Sequence, residues 1–204
     1  TTDGDLIKLF KDIDDECARL KGGSTGTIAI VDKEKNELVM INLGDSRQVL
    51  LDGAGKVLAA TVDHKPTDAA EKQRVEAAGG FVRNGRVDGV LAVSCAFGDF
   101  DLKPIVDGVR QYHVGIEPAI TRHTLPKEGY LVIACDGLWD VMNNDQVAKF
   151  MMAAHGAGMS PSECAKSLVR AAYEGPEGAR MLPFSPEVTG ASDDNISVQV
   201  ISIA

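Results

Sequence analysis

Between Gly129 and Asp140 the sequence reads GYLVIACDGLWD, and its first half leaves little choice of structure. Tyr130 to Cys135 is a continuous apolar run with two β-branched residues, the pattern of a strand buried on both faces. The run stops at Asp136-Gly137, which places a carboxylate at the mouth of the core. A second apolar strand, Ile196 to Ile203, is entered through Ser192-Asp-Asp-Asn195, so another acidic cluster stands at a strand end. Two such ends converging on one cation would offer oxygen ligands alone, a set that suits magnesium or manganese better than zinc. Asp-Gly and Asp-Asn are also ordinary turn pairs, and for either pair alone the turn is the simpler reading.

A chain of 204 residues with 44% hydrophobic content can bury one substantial core, and a single domain over 1–204 is expected. The net charge of -9 argues against non-specific binding of nucleic acid or anionic membrane and favours a metal or a cationic partner. Cys17, Cys95, Cys135 and Cys164 show no Cys-x-x-Cys pairing and read as reduced, core-filling thiols, which implies a cytoplasmic or nuclear setting. No apolar run approaches the roughly 20 residues of a membrane span, and no secretory layout is seen at the N-terminus. The sequence opens at Thr1 rather than Met, which reads as a processing or truncation boundary.

In chain order, Thr2 and Asp3 cap a helix predicted from about Asp5 to Leu20, with Leu6, Leu9, Phe10, Ile13, Cys17 and Leu20 on one face. Thr27–Val31 and Glu37–Leu43 read as a hairpin, and Arg47–Asp52 and Lys56–Thr61 extend it into a β-meander. Asp68 with Glu71 forms a capping pair for a helix ending at Gly79-Gly80, and Asn84-Gly85 is a tight hairpin turn. Phe100–Gly115 has no clear period and is expected to be a surface excursion. Glu117–Leu125 reads as a strand paired with the central one across Pro126–Gly129. Asn143 or Asn144 caps one helix; Ser160-Pro-Ser-Glu163 opens another that runs to Tyr173. The Gly- and Pro-rich stretch from Glu174 to Asp193 is predicted to be a long loop, functional or mobile.

The order of these landmarks carries more than any one of them. Gly23-Ser-Thr-Gly26, Asn42-Leu-Gly-Asp-Ser-Arg47, Asp63-His-Lys-Pro66, Glu71 and Arg74 with Ala78-Gly-Gly80, Gly89-Val-Leu-Ala-Val-Ser94, Phe97-Gly-Asp99, Ala134-Cys-Asp-Gly-Leu-Trp-Asp140 and Ser192-Asp-Asp-Asn-Ile-Ser197 stand in the order and spacing of the metal-dependent protein phosphatase 2C family, which the chain resembles from its first helix to its C-terminus. The resemblance implies an α+β fold, a four-layer α/β/β/α sandwich of two antiparallel sheets flanked by helices. It also implies a binuclear Mg2+ or Mn2+ centre whose bound water attacks phosphoserine or phosphothreonine monoesters in a phosphoprotein substrate. By position, Asp136 and Asp194 match metal-ligating aspartates, Asp45 and Asp140 match acidic positions near a third, weaker metal site, and Asn195 supports the ligands.

His64 looks catalytic but matches the Asp-His-Lys-Pro turn and reads as structural, whereas the family's acid histidine lies in an Asp-Gly-His-Gly-Gly block. His113, His123 and His155 read as surface or packing residues. That block, the phosphate-binding arginine and their N-terminal strands are missing and are expected upstream of Thr1, so the chain as it stands is expected to be inactive or nearly so. Cys95 stands where the family's Ser-Arg-Ala-x-Gly-Asp block has arginine, and a thiol cannot make an arginine's bidentate contact. These departures keep a second reading open: a pseudophosphatase that binds a kinase or phosphoprotein without catalysis. Oligomeric state is not legible.

Overall fold

The structure is a computed structural model and describes residues 2–182, 184 and 186–204. The chain divides into two compact units: Thr1–Ala29 with Met40–Asp45 and Val62–Thr121, and Ile30–Val39 with Ser46–Thr61 and Arg122–Ala204. Helices mix with antiparallel strand pairs, the α+β class expected from the motif order. No helix among the described residues is long and apolar enough to cross a membrane.

Helix α1 spans Asp3–Glu16 and opens on a capping box in which the Thr2 hydroxyl accepts the Asp5 N–H and the Asp5 carboxylate accepts the Thr2 N–H. It is shorter than predicted, because Cys17–Arg19 tighten into a 3-10 turn. Its buried stripe is Leu6, Phe10 and Asp14, while Leu9 and Leu20 stay exposed. One oxygen of the acid in that stripe is paired: Lys103 Nζ lies 2.7 Å from Asp14 Oδ1, which also accepts the Gly98 N–H.

Strands β1 (Gly23–Ser24), β2 (Gly26–Asp32) and β3 (Glu37–Leu43) are followed by β4 (Arg47–Asp52) and β5 (Val57–Ala60). The predicted meander is broken between β3 and β4. β3 lies beside β2, whereas β4 pairs with β5 in a different sheet. The change of sheet falls at Gly44–Ser46, where the Asn42 side-chain amide donates to the Gly44 carbonyl and holds the corner.

Helix α2 (Ala69–Ala77) is N-capped by Asp68 without the predicted side-chain bond, because Glu71 turns to Arg74 three residues on. Strands β6 (Val82–Arg83) and β7 (Arg86–Val87) pair across Asn84-Gly85, both at positive φ, as the hairpin signal requires. Then come β8 (Phe97–Gly98), which pairs with β1, and the small hairpin β9 (Ile105–Val106) and β10 (Val109–Arg110). The predicted surface excursion is thus only half superficial: the hairpin is exposed, yet Lys103 and Val114 are fully buried. Val75, Val87, Ala96 and Val114 form the small core of this part, and Phe10 stacks on Phe97 at 5.1 Å.

Strand β11 (Ala119–Thr124) joins β3 and β2 in the order β11-β3-β2, and each of these strands has residues in both units. β12 (Gly129–Ala134) lies between β4 and the last strand, β13 (Val198–Ile203), in the sheet β13-β12-β4-β5. The predicted pairing of the 117–125 strand with β12 is therefore wrong. A strand buried on both faces needs both edges hydrogen-bonded, and β4 and β13 occupy them.

Between β12 and β13 come α3 (Asp136–Trp139), α4 (Asn144–Gly156) and α5 (Pro161–Arg180). Both longer helices open on capping boxes: Ser160 with Glu163, as predicted, and Asn143, one of the two expected caps, with Gln146. Val49, Leu51, Tyr130, Val132 and Ala134 line one sheet face and pack on Leu138, Phe150, Met151 and Leu168; on the other face Leu50, Leu131 and Ile133 are buried too. Burying each such side chain contributes about 1.5–3 kcal/mol. The predicted loop from Glu174 is a correction. Helix α5 continues to Arg180 across a kink at Gly175, whose φ of 64° and ψ of -150° suit glycine and let Pro176 begin the second half. Ser192 N–H then donates to the Ala172 carbonyl, tying the return segment to the helix. Pro183 and Ser185 of that predicted loop lie outside the described residues.

Candidate functional site

Antiparallel pairing makes β12 run out where β13 runs in, with Ala134 opposite Val198. Asp136 and the Asp194-Asn195 turn therefore stand at the same end of one sheet. Beyond the last paired residues the Cys135 N–H donates to the Ser197 carbonyl at 3.2 Å. The Cys135 thiol donates to the Asn195 carbonyl and accepts the Ser197 N–H, each at 3.2 Å. Asn195 also crowds Gly137: a side chain there would come within 2.4 Å of the Asn195 carbonyl oxygen, so only glycine fits at this point of the Asp-Gly motif.

The first residue of α3 is Asp136, half-buried over the apolar Leu138 and Trp139. Trp139 Nε1 donates to the Ala134 carbonyl at 2.8 Å, and the Arg47 guanidinium lies 5.0 Å from the centre of its indole ring. Asp140 caps the C-terminal end of α3 and is exposed. Asp194 is exposed and its carboxylate accepts the Asn195 N–H at 2.7 Å. The Asn195 carbonyl accepts the Cys135 thiol, its N–H donates to the Asp194 carboxylate, and its backbone fills the space beside Gly137.

The remaining predicted position, Asp45, is buried, and its carboxylate meets Lys65 Nζ at 2.5 Å. Beside it His64 Nδ1 lies 3.1 Å from the Gly44 nitrogen, and the His64 N–H donates to the Gly44 carbonyl at 2.9 Å. The Asp-His-Lys-Pro turn thus clips onto the Gly-Asp-Ser corner, consistent with a structural His64. His113 and His155 bind partners as packing residues do, Asp88 at 2.6 Å and the Tyr130 hydroxyl at 2.7 Å.

As donors, the Asp136 and Asp194 carboxylates with nearby backbone oxygen atoms fit a hard divalent cation such as Mg2+ or Mn2+. In number they fall short. Among the described residues no group of three or more His, Cys, Asp or Glu side chains gathers to hold a metal, so these residues alone do not supply a two-ion centre.

One polar cluster was not foreseen as a unit. Glu71 Oε2 receives both Nε and Nη2 of Arg74, at 3.3 and 3.2 Å, and lies 3.5 Å from the Cys95 thiol. Arg74 also donates to the carbonyls of Ser94 and Tyr112. These residues line a cleft of about 660 Å³. Burial raises the Glu71 carboxyl, but its polar neighbour Ser94 and the Arg74 charge outweigh it and leave it below its ordinary value. Burial first, and the Glu71 charge second, push the Cys95 thiol up to about 12, so it is a packed neutral thiol. The i,i+3 spacing of Glu71 and Arg74 was a usable signal for the ion pair; nothing in the sequence pointed to Cys95 as its neighbour.

The α+β fold thus brings two acidic turns to one end of its four-stranded sheet. The family model described as Protein phosphatase 2C matches residues 4–176, and the chain belongs to the protein phosphatase 2C family. It is 34% identical over 192 residues to Protein phosphatase 2C homolog 3 of Schizosaccharomyces pombe, covering 93% of this chain and 43% of that protein. To Protein phosphatase 2C homolog 2 of Saccharomyces cerevisiae it is 35% identical, covering 89% of this chain and 38% of that one. The chain thus spans less than half the length of either relative. Among solved structures, serine-threonine phosphatase 2C from Toxoplasma gondii has the same fold, with a TM-score of 0.74 at 24% identity over 99% of this chain and 67% of that one.

Proposed function

We propose that this chain is part of a metal-dependent protein serine/threonine phosphatase, in which Asp136 and Asp194 are two of the carboxylates of a Mg2+ or Mn2+ centre. The reaction is hydrolysis of phosphoserine and phosphothreonine monoesters in a phosphoprotein substrate; the metals, when bound, supply an activated water and neutralise phosphoryl charge. The observation that carries this reading is the meeting of the Asp136-Gly137 and Asp194-Asn195 backbones through Cys135. Asp45 and Asp140 are each, separately, candidate ligands for a further, weaker ion. Asp45 would have to exchange Lys65 for a cation.

With two principal carboxylates, the chain by itself binds one cation weakly and turns over little or no phosphoester. The test is manganese binding, followed by the electron paramagnetic resonance signal of free Mn2+, together with hydrolysis of p-nitrophenyl phosphate. Weak binding that disappears in Asp136→Asn and in Asp194→Asn, with hydrolysis near background, is the expected outcome. Ordinary phosphatase rates in the unmodified chain, lost in Asp136→Asn, would show that fewer ligands suffice than proposed here. The pseudophosphatase reading is favoured by one observation, Cys95 at the Glu71–Arg74 pair where the family pattern has arginine. Capture of a phosphoprotein without its cleavage, unaffected by Asp136→Asn, would select it.

A further inference from the structure

At the end of a β-ladder each backbone group still needs a partner, and here one of them is supplied by a side chain. Cys135 and Ser197 follow the last pair, Ala134 and Val198, and half of the next hydrogen-bonded pair forms normally, from the Cys135 N–H to the Ser197 carbonyl. The reciprocal bond is not made. The Cys135 carbonyl is taken by the Leu138 N–H of the first turn of α3, so the Ser197 N–H turns to the Cys135 sulfur at 3.2 Å. The same sulfur, through its hydrogen, reaches the Asn195 carbonyl at 3.2 Å. Cys135 caps α3 by position but makes no side-chain capping bond, so its thiol is committed to the facing strand.

We infer that Cys135 is a positioning residue, whose thiol bridges two backbone groups and so fixes the Asp194-Asn195 turn against Asp136. The claim rests on the proposed role of those two aspartates, though the tether itself does not depend on any metal. A group at this position must both donate and accept on the scale of a single side-chain atom; a serine hydroxyl qualifies and an alanine methyl does not. Because Asp194 immediately precedes the tethered Asn195, loss of the tether frees one candidate ligand and leaves the other, on α3, in place.

The test compares the unmodified chain with Cys135→Ala and Cys135→Ser in two measurements. In the metal-free protein, amide hydrogen exchange at Ser197 is expected to quicken about tenfold in Cys135→Ala, one hydrogen bond's worth, and to return to within about threefold of the original in Cys135→Ser. Exchange at Leu131 and Ile201, paired further along the same ladder, serves as the control for general loosening and should stay unchanged. Manganese affinity should fall about tenfold or more in the alanine variant, the usual size of effect for a group supporting a ligand, and recover with serine. Equal exchange at Ser197 in all three proteins, quickening spread evenly to Leu131 and Ile201, or failure of serine to restore either reading overturns the inference. An unmodified chain that binds no manganese while keeping the local exchange contrast sinks the metal assignment of Asp136 and Asp194 and leaves the tether standing.

Discussion

Two sets of carboxylates in this chain are treated in opposite ways by the fold around them. In the first unit Asp14, Asp45, Glu71 and Asp88 each face a basic side chain: Lys103, Lys65, Arg74 and His113. At the sheet end in the second unit Asp140 and Asp194 are exposed, and neither has an ion-pair partner among the described residues. A carboxylate with its cation built in acts as a fastener, and removing the cation leaves an uncompensated charge. Exposed carboxylates at a strand end cost the fold little as they stand and have lone pairs to offer. The difference separates acids that serve the structure from acids available to a cation from solution, which sequence spacing alone does not do.

The contrast is most sharply broken or kept at Asp14. Its side chain and that of Lys103 are 1% and 0% exposed, and Asp14 Oδ2 has no hydrogen-bond partner to share the burden. Lys103→Met should therefore destabilise the chain by about 3–5 kcal/mol in urea unfolding, while Asp14→Leu combined with Lys103→Met should recover most of the loss. A single variant that costs under about 0.5 kcal/mol, the usual scatter of surface changes, would remove the fastener category. Asp45→Asn comes next. Its charge-assisted bond to a partly exposed Lys65 is worth about 1.5–3 kcal/mol in the same measurement. Asp194→Asn in metal-free protein should stay within about 0.5 kcal/mol of the original. If Asp194→Asn proves as costly as Asp45→Asn, the two sets are not different in kind.

Much of this was legible because local chemistry and tertiary context agreed. The Thr2, Asn143 and Ser160 caps and the Asn84-Gly85 turn are settled by groups within a few residues of each other. The central strand announced itself by apolar residues at every position, since it faces a core on both sides. Which strand pairs with which was not readable: β11 and β12 are adjacent in sequence but belong to different sheets, a choice decided by which edges remain free once β4 and β13 have bound. The helix beyond Tyr173 was hidden because glycine and proline, breakers in general, here mark a kink that burial of Gly175, Gly178 and Ala179 makes tolerable. At the candidate site the two acidic turns were visible as motifs. Their tie through Cys135 was not, because it depends on a carbonyl having been diverted to α3. The buried Asp14 was passed over because only its distant partner Lys103 makes an acid acceptable on an apolar stripe.

The smallest effects are expected at the Glu71–Arg74–Cys95 cluster, where the fastener category can be tested by pH. The Glu71 carboxyl lies below its ordinary 4.5 in the folded chain. Its contribution to stability is thus complete above about that value and is lost as pH falls through the lower folded value; Glu71→Gln removes this acid-side loss. Cys95 has the opposite sign. With its thiol raised to about 12, its contribution is complete below the ordinary 9.0 and fades as pH rises toward the folded value. The two are linked, because Glu71 is the second cause of the Cys95 shift after burial. In Glu71→Gln the charge part of that shift disappears and the burial part stays, so Cys95 should ionise at a lower pH than in the unmodified chain but still above a free thiol. The pH dependence of alkylation at Cys95, followed by mass spectrometry on the folded protein, reads this directly. Alkylation of native Cys95 near pH 9 at the rate of the unfolded chain would mean that the thiol is neither buried nor held against a carboxylate, and the cluster would lose its place among the fasteners.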